Sequence, residues 1–204
     1  MEKLKSSFKN MLLSLALISI VVACLLAVVY KMTEEPIKQA EKQRKENAIK
    51  EVVPDFNNNP AEEKFEVEIS DGSKLTVFPA KYDNKLVGIA VETNTLKGFS
   101  GEIRIMAGFD VDGTIKNYYV LKHAETPGLG AKMQKWFSDP SKPDQNVINR
   151  KWNNNINVKK DGGDIDAITA ATITSRAFVD ALNRAYEAYL KVIQNDSEKQ
   201  ESAK

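Results

Sequence analysis

The 204-residue sequence predicts an α+β fold: a bent antiparallel sheet with flanking helices, preceded by one transmembrane helix and a stalk helix. Three observations support this prediction. Residues 11–30 carry no charge, residues 64–122 alternate apolar and polar side chains with turn residues between the runs, and a helical apolar period begins at Phe178. No helical segment separates one predicted strand from the next, which disfavours a doubly wound nucleotide-binding fold.

Residues 11–30 form an uncharged, apolar segment that contains two serines, Ser14 and Ser19. A helix of this length rises about 30 Å, which is the thickness of a bilayer's hydrocarbon core. Two alternatives stay open: a signal peptide, although the run exceeds a typical h-region, and a lipoprotein box ending at Cys24, although residues 25–29 stay apolar. We predict a transmembrane anchor in the cytoplasmic (inner) membrane.

The flanks of the apolar segment predict its orientation and the organisation of the chain. Lysines at positions 3, 5 and 9 precede the span, so the positive-inside rule places the N-terminus in the cytoplasm. After Thr33, which can cap a helix, a segment rich in Glu, Lys, Gln and Ala continues to Pro54. The predicted organisation is a cytoplasmic N-terminus (1–10), a transmembrane helix (11–30), a stalk helix (31–54), an extracytoplasmic domain (60–194) and a charged, disordered tail (195–204).

The charge balance and the scarcity of cysteine and histidine exclude several classes of protein. The formal net charge is +1, so a nucleic-acid partner is not expected. Cys24 and His123 are the only residues of their types, which leaves no disulfide framework and no cysteine- or histidine-rich metal site within one chain. No Gly-x-Gly-x-x-Gly follows a predicted strand, so NAD binding is not expected either.

The central part of the chain predicts an antiparallel meander. The dipeptides Asp71-Gly72, Asp83-Asn84 and Asp112-Gly113 provide turn residues of the kind that hairpins require. Alternating runs lie between and beside these turns, and the five predicted strands fall within residues 65–69, 75–78, 86–91, 103–107 and 115–121.

Two segments without strand or helix pattern are predicted to be loops. Residues 98–101, with a glycine at each end, predict a flexible loop before the fourth strand. Residues 137–160 are polar and predict a surface excursion that Trp136 and Trp152 fasten to the domain.

A stretch rich in hydroxyl groups lies where a loop becomes the last helix. Residues 166–175, DAITAATITS, hold four hydroxyls, three alanines and one carboxylate. The first N–H groups of a helix lack partners and its dipole is positive there, so a phosphate placed at this point is stabilised. The simpler alternative is that Thr172 or Thr174 only caps the helix.

A second stretch, residues 125–130 with the sequence ETPGLG, predicts a tight turn that exposes backbone N–H groups. It can also be a plain connection from the fifth strand to a short helix over residues 132–137. We interpret His123, just before it, as a residue at the end of the sheet rather than a proton carrier.

Together the two stretches resemble two signatures of the FMN-binding domain family, in the family's order and about forty residues apart. In that family the last hydroxyl residue of the second signature is esterified to the phosphate of FMN by a dedicated flavin transferase. The resemblance implies that Thr174 is the acceptor here, and that Arg176 supplies a compensating positive charge. The family usually has glycine where this chain has Ala170. Further cofactor contacts are implied at Glu125, Thr126, Gly128, Leu129, Thr169, Ala170, Ala171 and Thr172, and a role in recognition by the transferase at Asp166.

The resemblance also implies a function. Family members with this organisation occur in ion-translocating electron-transport complexes of the Rnf type, and in the related sodium-translocating NADH:quinone reductase, which is the alternative assignment. This chain would carry covalent FMN and pass electrons between other redox subunits, in a complex that couples ferredoxin–NAD electron transfer to ion movement. It would have no complete active site of its own. Two further alternatives are a stand-alone extracytoplasmic flavoprotein reductase and an unflavinylated binding module.

Overall fold

The computed structural model describes residues 7–153 and 156–202, with side chains described as far as residue 195. Its first element is one continuous helix, α1 (Phe8–Val52, 45 residues), which covers both the predicted transmembrane span and the predicted stalk. Among the described residues, α1 is the helix that is long and apolar enough to cross a membrane. The predicted cytoplasmic N-terminus lies largely outside the described residues.

Thr33 does not cap a separate stalk helix, so that part of the prediction is wrong. Thr33 lies inside α1, where its hydroxyl donates to the carbonyl of Val29 at 2.9 Å. Such a bond to the preceding turn satisfies the hydroxyl without ending the helix. Pro36 also lies within α1. The helix ends at Val52, just before Pro54, as predicted.

Residues 44–204 form a compact unit built on a five-stranded antiparallel sheet. The strand order follows the chain, which confirms the predicted meander. Shifts in register between neighbouring strands mark β-bulges, which bend strands and increase their twist. The strands are β1 (Phe65–Glu68), β2 (Lys74–Tyr82), β3 (Lys85–Gly98), β4 (Gly101–Asp110) and β5 (Ile115–Lys122).

Helices cover both faces of the sheet. The long helix α3 (Thr172–Ser202) packs on one face, and its buried Phe178 stacks on Phe137 with ring centroids 4.2 Å apart. On the other face, Ala48 and Val52 at the end of α1 pack against the sheet, for example at the fully buried Met106. The predicted α+β class is therefore confirmed.

Three loop and terminus predictions compare differently with the structure. The loop at 98–101 is a two-residue connection, because Gly98 and Gly101 pair with each other as the ends of β3 and β4. The excursion after the short helix α2 (Met133–Trp136) is fastened as predicted: the indole N–H of Trp136 donates to the carbonyl of Asp166, and Trp152 is 1% exposed. The segment predicted as a disordered tail lies within α3 as far as Ser202.

Candidate functional site

The two signature stretches meet at one pocket of about 320 Å³, within the range of small-molecule sites. The turn after β5 forms one wall, the β3–β4 connection another, and the first turn of α3 the floor. The pocket is lined by Phe99, Glu125, Thr126, Leu129, Gly130, Ala170, Ala171, Thr172, Ile173 and Thr174. Seven of these were predicted as site residues: Glu125, Thr126, Leu129, Ala170, Ala171, Thr172 and Thr174.

At the floor of the pocket, a hydrogen bond joins the two stretches. The hydroxyl of Thr174 donates to the carboxylate of Glu125, with Oγ1 and Oε2 2.6 Å apart. Thr174 is 1% exposed and Glu125 is 4% exposed. The other carboxylate oxygen, Oε1, accepts the backbone N–H of Ser100 at 3.1 Å. The acceptor hydroxyl implied by the resemblance is therefore buried, oriented and in contact with the pocket.

Glycines give the Glu125 carboxylate its space. A Cβ atom on Gly130 would lie 2.6 Å from Thr174 Oγ1 and 2.7 Å from Glu125 Oε2. A Cβ atom on Gly98 would lie 2.7 Å from Glu125 Oε1. Any side chain larger than hydrogen at either position would push against the carboxylate. Neither glycine was among the predicted site residues, although both stand at turns in the sequence.

The turn before α3 is held by Ser175, which sequence reasoning also did not single out. The Ser175 hydroxyl accepts the backbone N–H of Ile168 at 2.8 Å and donates to the carbonyl of Ala171 at 2.9 Å. Between them, Ala170 has φ +62°, a left-handed conformation that favours glycine. This is the position at which the resemblance leads one to expect glycine.

The capping alternative is not favoured by the contacts of the two threonines. Both lie within the first turn of α3, and their hydroxyls bond to side chains of other segments. Thr174 donates to Glu125, and Thr172 Oγ1 accepts from the ammonium of Lys160 at 3.0 Å. The first N–H groups of the helix are thus left to face the pocket or solvent.

Some predicted residues lie outside the pocket lining. Asp166 pairs with Lys159 at 3.1 Å, and hydrogen bonds from Asp144 and Asp166 raise the pKa of that lysine. Thr169 and Gly128 are exposed beside the pocket, and Gly128 has φ +78°. The structure therefore places these three residues around the site rather than in it.

Arg176, expected to balance a phosphate charge, is engaged elsewhere. Its guanidinium donates two hydrogen bonds to Asp161, at 2.7 and 2.6 Å, and these lower the pKa of that carboxyl. Lys160, through its bond to Thr172, is the cation whose contact reaches the pocket lining. His123 accepts the backbone N–H of Glu125 on Nδ1 at 3.2 Å, which suits a residue that holds the turn at the end of the sheet.

The mouth of the pocket is apolar, in contrast with its floor. Phe99, Leu129 and Ile173 line it and are 65%, 39% and 48% exposed. Isolated exposed apolar side chains are ordinary, but three around one opening indicate a surface for an apolar group. A buried hydroxyl and helix N–H groups at the floor, with apolar side chains at the mouth, fit a ligand that has a phosphate at one end and a flat ring at the other.

The class of protein defined by this fold and site is supported by family comparison. The FMN-binding domain family matches residues 98–187, a range that holds both pocket-forming stretches. The model described as RnfG N-terminal region matches residues 1–52, which include α1.

Individual relatives narrow the assignment. Proteins named as the RnfG-type subunit of an ion-translocating oxidoreductase complex are similar to this chain in Salmonella typhi (38% identical, covering 79% of this chain and 81% of the relative), in Shewanella piezotolerans (35%, 89% and 88%) and in Methanosarcina acetivorans (34%, 87% and 92%). The chain belongs to this family of RnfG-type subunits of ion-translocating oxidoreductase complexes.

Proposed function

We propose that this chain is the covalently flavinylated electron-transfer subunit of a membrane-bound, ion-translocating oxidoreductase, with FMN esterified to Thr174. The observation that carries the proposal is the buried Thr174 hydroxyl at the floor of a pocket formed by both signature stretches. A soluble domain behind a single apolar helix, and relatives named as subunits of such a complex, support it.

The residues of the pocket suit the two ends of FMN. Thr174 supplies the ester oxygen, and the first N–H groups of α3 with the nearby Lys160 favour the phosphate. Phe99 and Leu129 offer apolar surface to the ring at the mouth. FMN, when bound, supplies one- and two-electron transfer. Because the mouth is open, electrons can pass to and from partner proteins there.

The remaining steps of the coupled reaction fall to partner subunits. Residues 11–30 hold no ionisable side chain that offers an ion a path, so α1 anchors rather than conducts. The sequence lacks a dinucleotide-binding signature, so NAD and the ferredoxin-type donor are handled elsewhere in the complex. The match of residues 1–52 to the RnfG N-terminal region favours this assignment over the corresponding subunit of sodium-translocating NADH:quinone reductase.

Attachment is tested by expressing the full chain in its native host, denaturing it and viewing flavin fluorescence on a gel. Unmodified threonine is a weak nucleophile, so attachment depends on the host's flavin transferase. We expect Thr174→Ala to abolish the fluorescent band and Thr172→Ala, the matched control in the same helical turn, to retain it. Flavin that washes away on denaturation, or that stays bound in Thr174→Ala, would rule the assignment out.

We further propose that the flavin domain is extracytoplasmic, because Lys3, Lys5 and Lys9 precede the span. A protease added outside intact spheroplasts should then digest the domain, with a cytoplasmic protein of the same cells as the protected control. A domain that is cut only after the cells are lysed would contradict this orientation.

A further inference from the structure

The Glu125 carboxylate is buried without an opposite charge. It is 4% exposed, and its oxygens accept hydrogen bonds from the Ser100 N–H and the Thr174 hydroxyl. Within residues 7–153 and 156–195, no lysine, arginine or histidine forms an ion pair with it. Burying a carboxylate without a cation is costly, so a merely structural link between turn and helix would be made more cheaply by neutral groups.

The geometry around this carboxylate is that of a base beside a nucleophile. Activated hydroxyl nucleophiles have a base within about 2.6–3.2 Å, and a third group orients that base. Here Glu125 Oε2 lies 2.6 Å from Thr174 Oγ1, and the N–H of Ser100 fixes the other oxygen. Gly98 and Gly130 leave the carboxylate no room to rotate away, because even a Cβ atom on either would lie 2.7 Å from it.

We propose that Glu125 is the general base for flavin attachment to Thr174, an inference that rests on the proposed function. Thr174 Oγ1 forms a bond to the phosphorus of the FMN moiety of a flavin dinucleotide, which the transferase presents from the pocket side. The phosphoanhydride bond breaks and the second nucleotide leaves with its phosphate. The Thr174 proton moves to Glu125 Oε2, so the step involves no oxidant or reductant.

The proposal assigns part of the chemistry to the acceptor chain rather than to the transferase alone. A proton taken up by Glu125 also removes the repulsion between a buried carboxylate and the newly attached anionic phosphate. The protonated Oε2 then becomes a donor and can bond to a phosphoryl oxygen. One side chain thus serves both the attachment step and the attached state.

Glutamine at position 125 separates this role from a structural one. Its amide oxygen can accept the Thr174 hydroxyl or the Ser100 N–H as the carboxylate does, but it does not take a proton at neutral pH. The assay uses the full chain in detergent, purified without flavin from a host that lacks the transferase. Purified transferase and flavin dinucleotide are added, and attached FMN is followed by intact mass and in-gel fluorescence.

We expect Glu125→Gln to lower kcat for attachment about 10²–10⁴-fold, the usual contribution of a general base, with little change in KM for the chain. Glu125→Ala opens a gap beside Thr174, so formate should raise its attachment rate at least several-fold and equal chloride should not. The formate arm decides the question if Glu125→Gln folds poorly by circular dichroism. Attachment to folded Glu125→Gln at the wild-type rate, or no formate response in folded Glu125→Ala, overturns the proposal.

Controls distinguish this result from a failure of the proposed function. Wild-type chain should gain one FMN, located on Thr174 by peptide mass, and Thr174→Ala should gain none. If wild type is not labelled, or Thr174→Ala is, the proposed function itself fails. If Thr174 is labelled in wild type and folded Glu125→Gln reacts equally fast, only the role of Glu125 is lost.

Discussion

The two turns that form the pocket meet the same backbone requirement with different residues. In the turn of residues 125–130, Gly128 adopts φ +78° and Gly130 packs against Thr174. In the turn of residues 168–171, the left-handed position is held by Ala170, with φ +62°. A non-glycine residue in this conformation costs roughly 1–2 kcal/mol.

The difference shows that a glycine can be required for its conformation, for its lack of a side chain, or for both. Gly128 needs a positive φ but faces open space, since no atom lies within 4 Å of a Cβ built there. Gly130 faces the Thr174–Glu125 hydrogen bond, so it needs the space. Ala170 needs only the conformation and is exposed, and the two hydrogen bonds of Ser175 hold its turn in place.

Gly130→Ala should therefore have the largest effect of any change in these turns. Its Cβ would sit 2.6 Å from Thr174 Oγ1, which forces the hydroxyl and the Glu125 carboxylate apart. We expect a loss of about 1–3 kcal/mol in the free energy of unfolding, as for other overpacked sites. We also expect at least a tenfold drop in the rate of flavin attachment, measured with denaturant melts and the in-gel assay.

Gly128→Ala is the matched control for this change. It introduces the same methyl group at a position with φ +78° and open space, so only conformational strain of about 1 kcal/mol is expected. Attachment should proceed at nearly the wild-type rate. If both variants lose attachment equally, the distinction between space and conformation at the two glycines is wrong.

Much of the fold could be predicted because its signals are local. Alternation and turn dipeptides specify strands and hairpins within a few residues, and the five strands were found in their observed order. The extension of β3 and β4 to Gly98 and Gly101 was not, because it depends on pairing across a bulge. Nor was the continuity of α1 through Pro36, a residue that usually interrupts a helix.

The candidate site could be predicted only in part, for a related reason. Thr174 and Glu125 each lie in a recognisable local stretch, but the bond between them joins residues 49 positions apart. Ser100 and Gly98 enter the site through the hairpin before β4, which carries no signal of its own. Arg176 was placed correctly at the helix start, yet its partner Asp161 became known only from the fold.

The smallest predicted effect tests the other turn. Ala170→Gly removes the steric cost of φ +62° but adds backbone entropy to the unfolded chain. Because strain exceeds the entropy term at a positive φ, we expect a net gain of about 1 kcal/mol, or roughly 2–4 °C in Tm for a domain of this size. Asn84, which has the same φ of 62° in the β2–β3 turn, provides the control. Asparagine tolerates this conformation far better than alanine, so Asn84→Gly should change Tm by less. Thermal melts of the unflavinylated chain compare the two variants directly. A fall in Tm for Ala170→Gly would mean that the alanine methyl stabilises the turn by contact, and that the two turns differ by more than conformation.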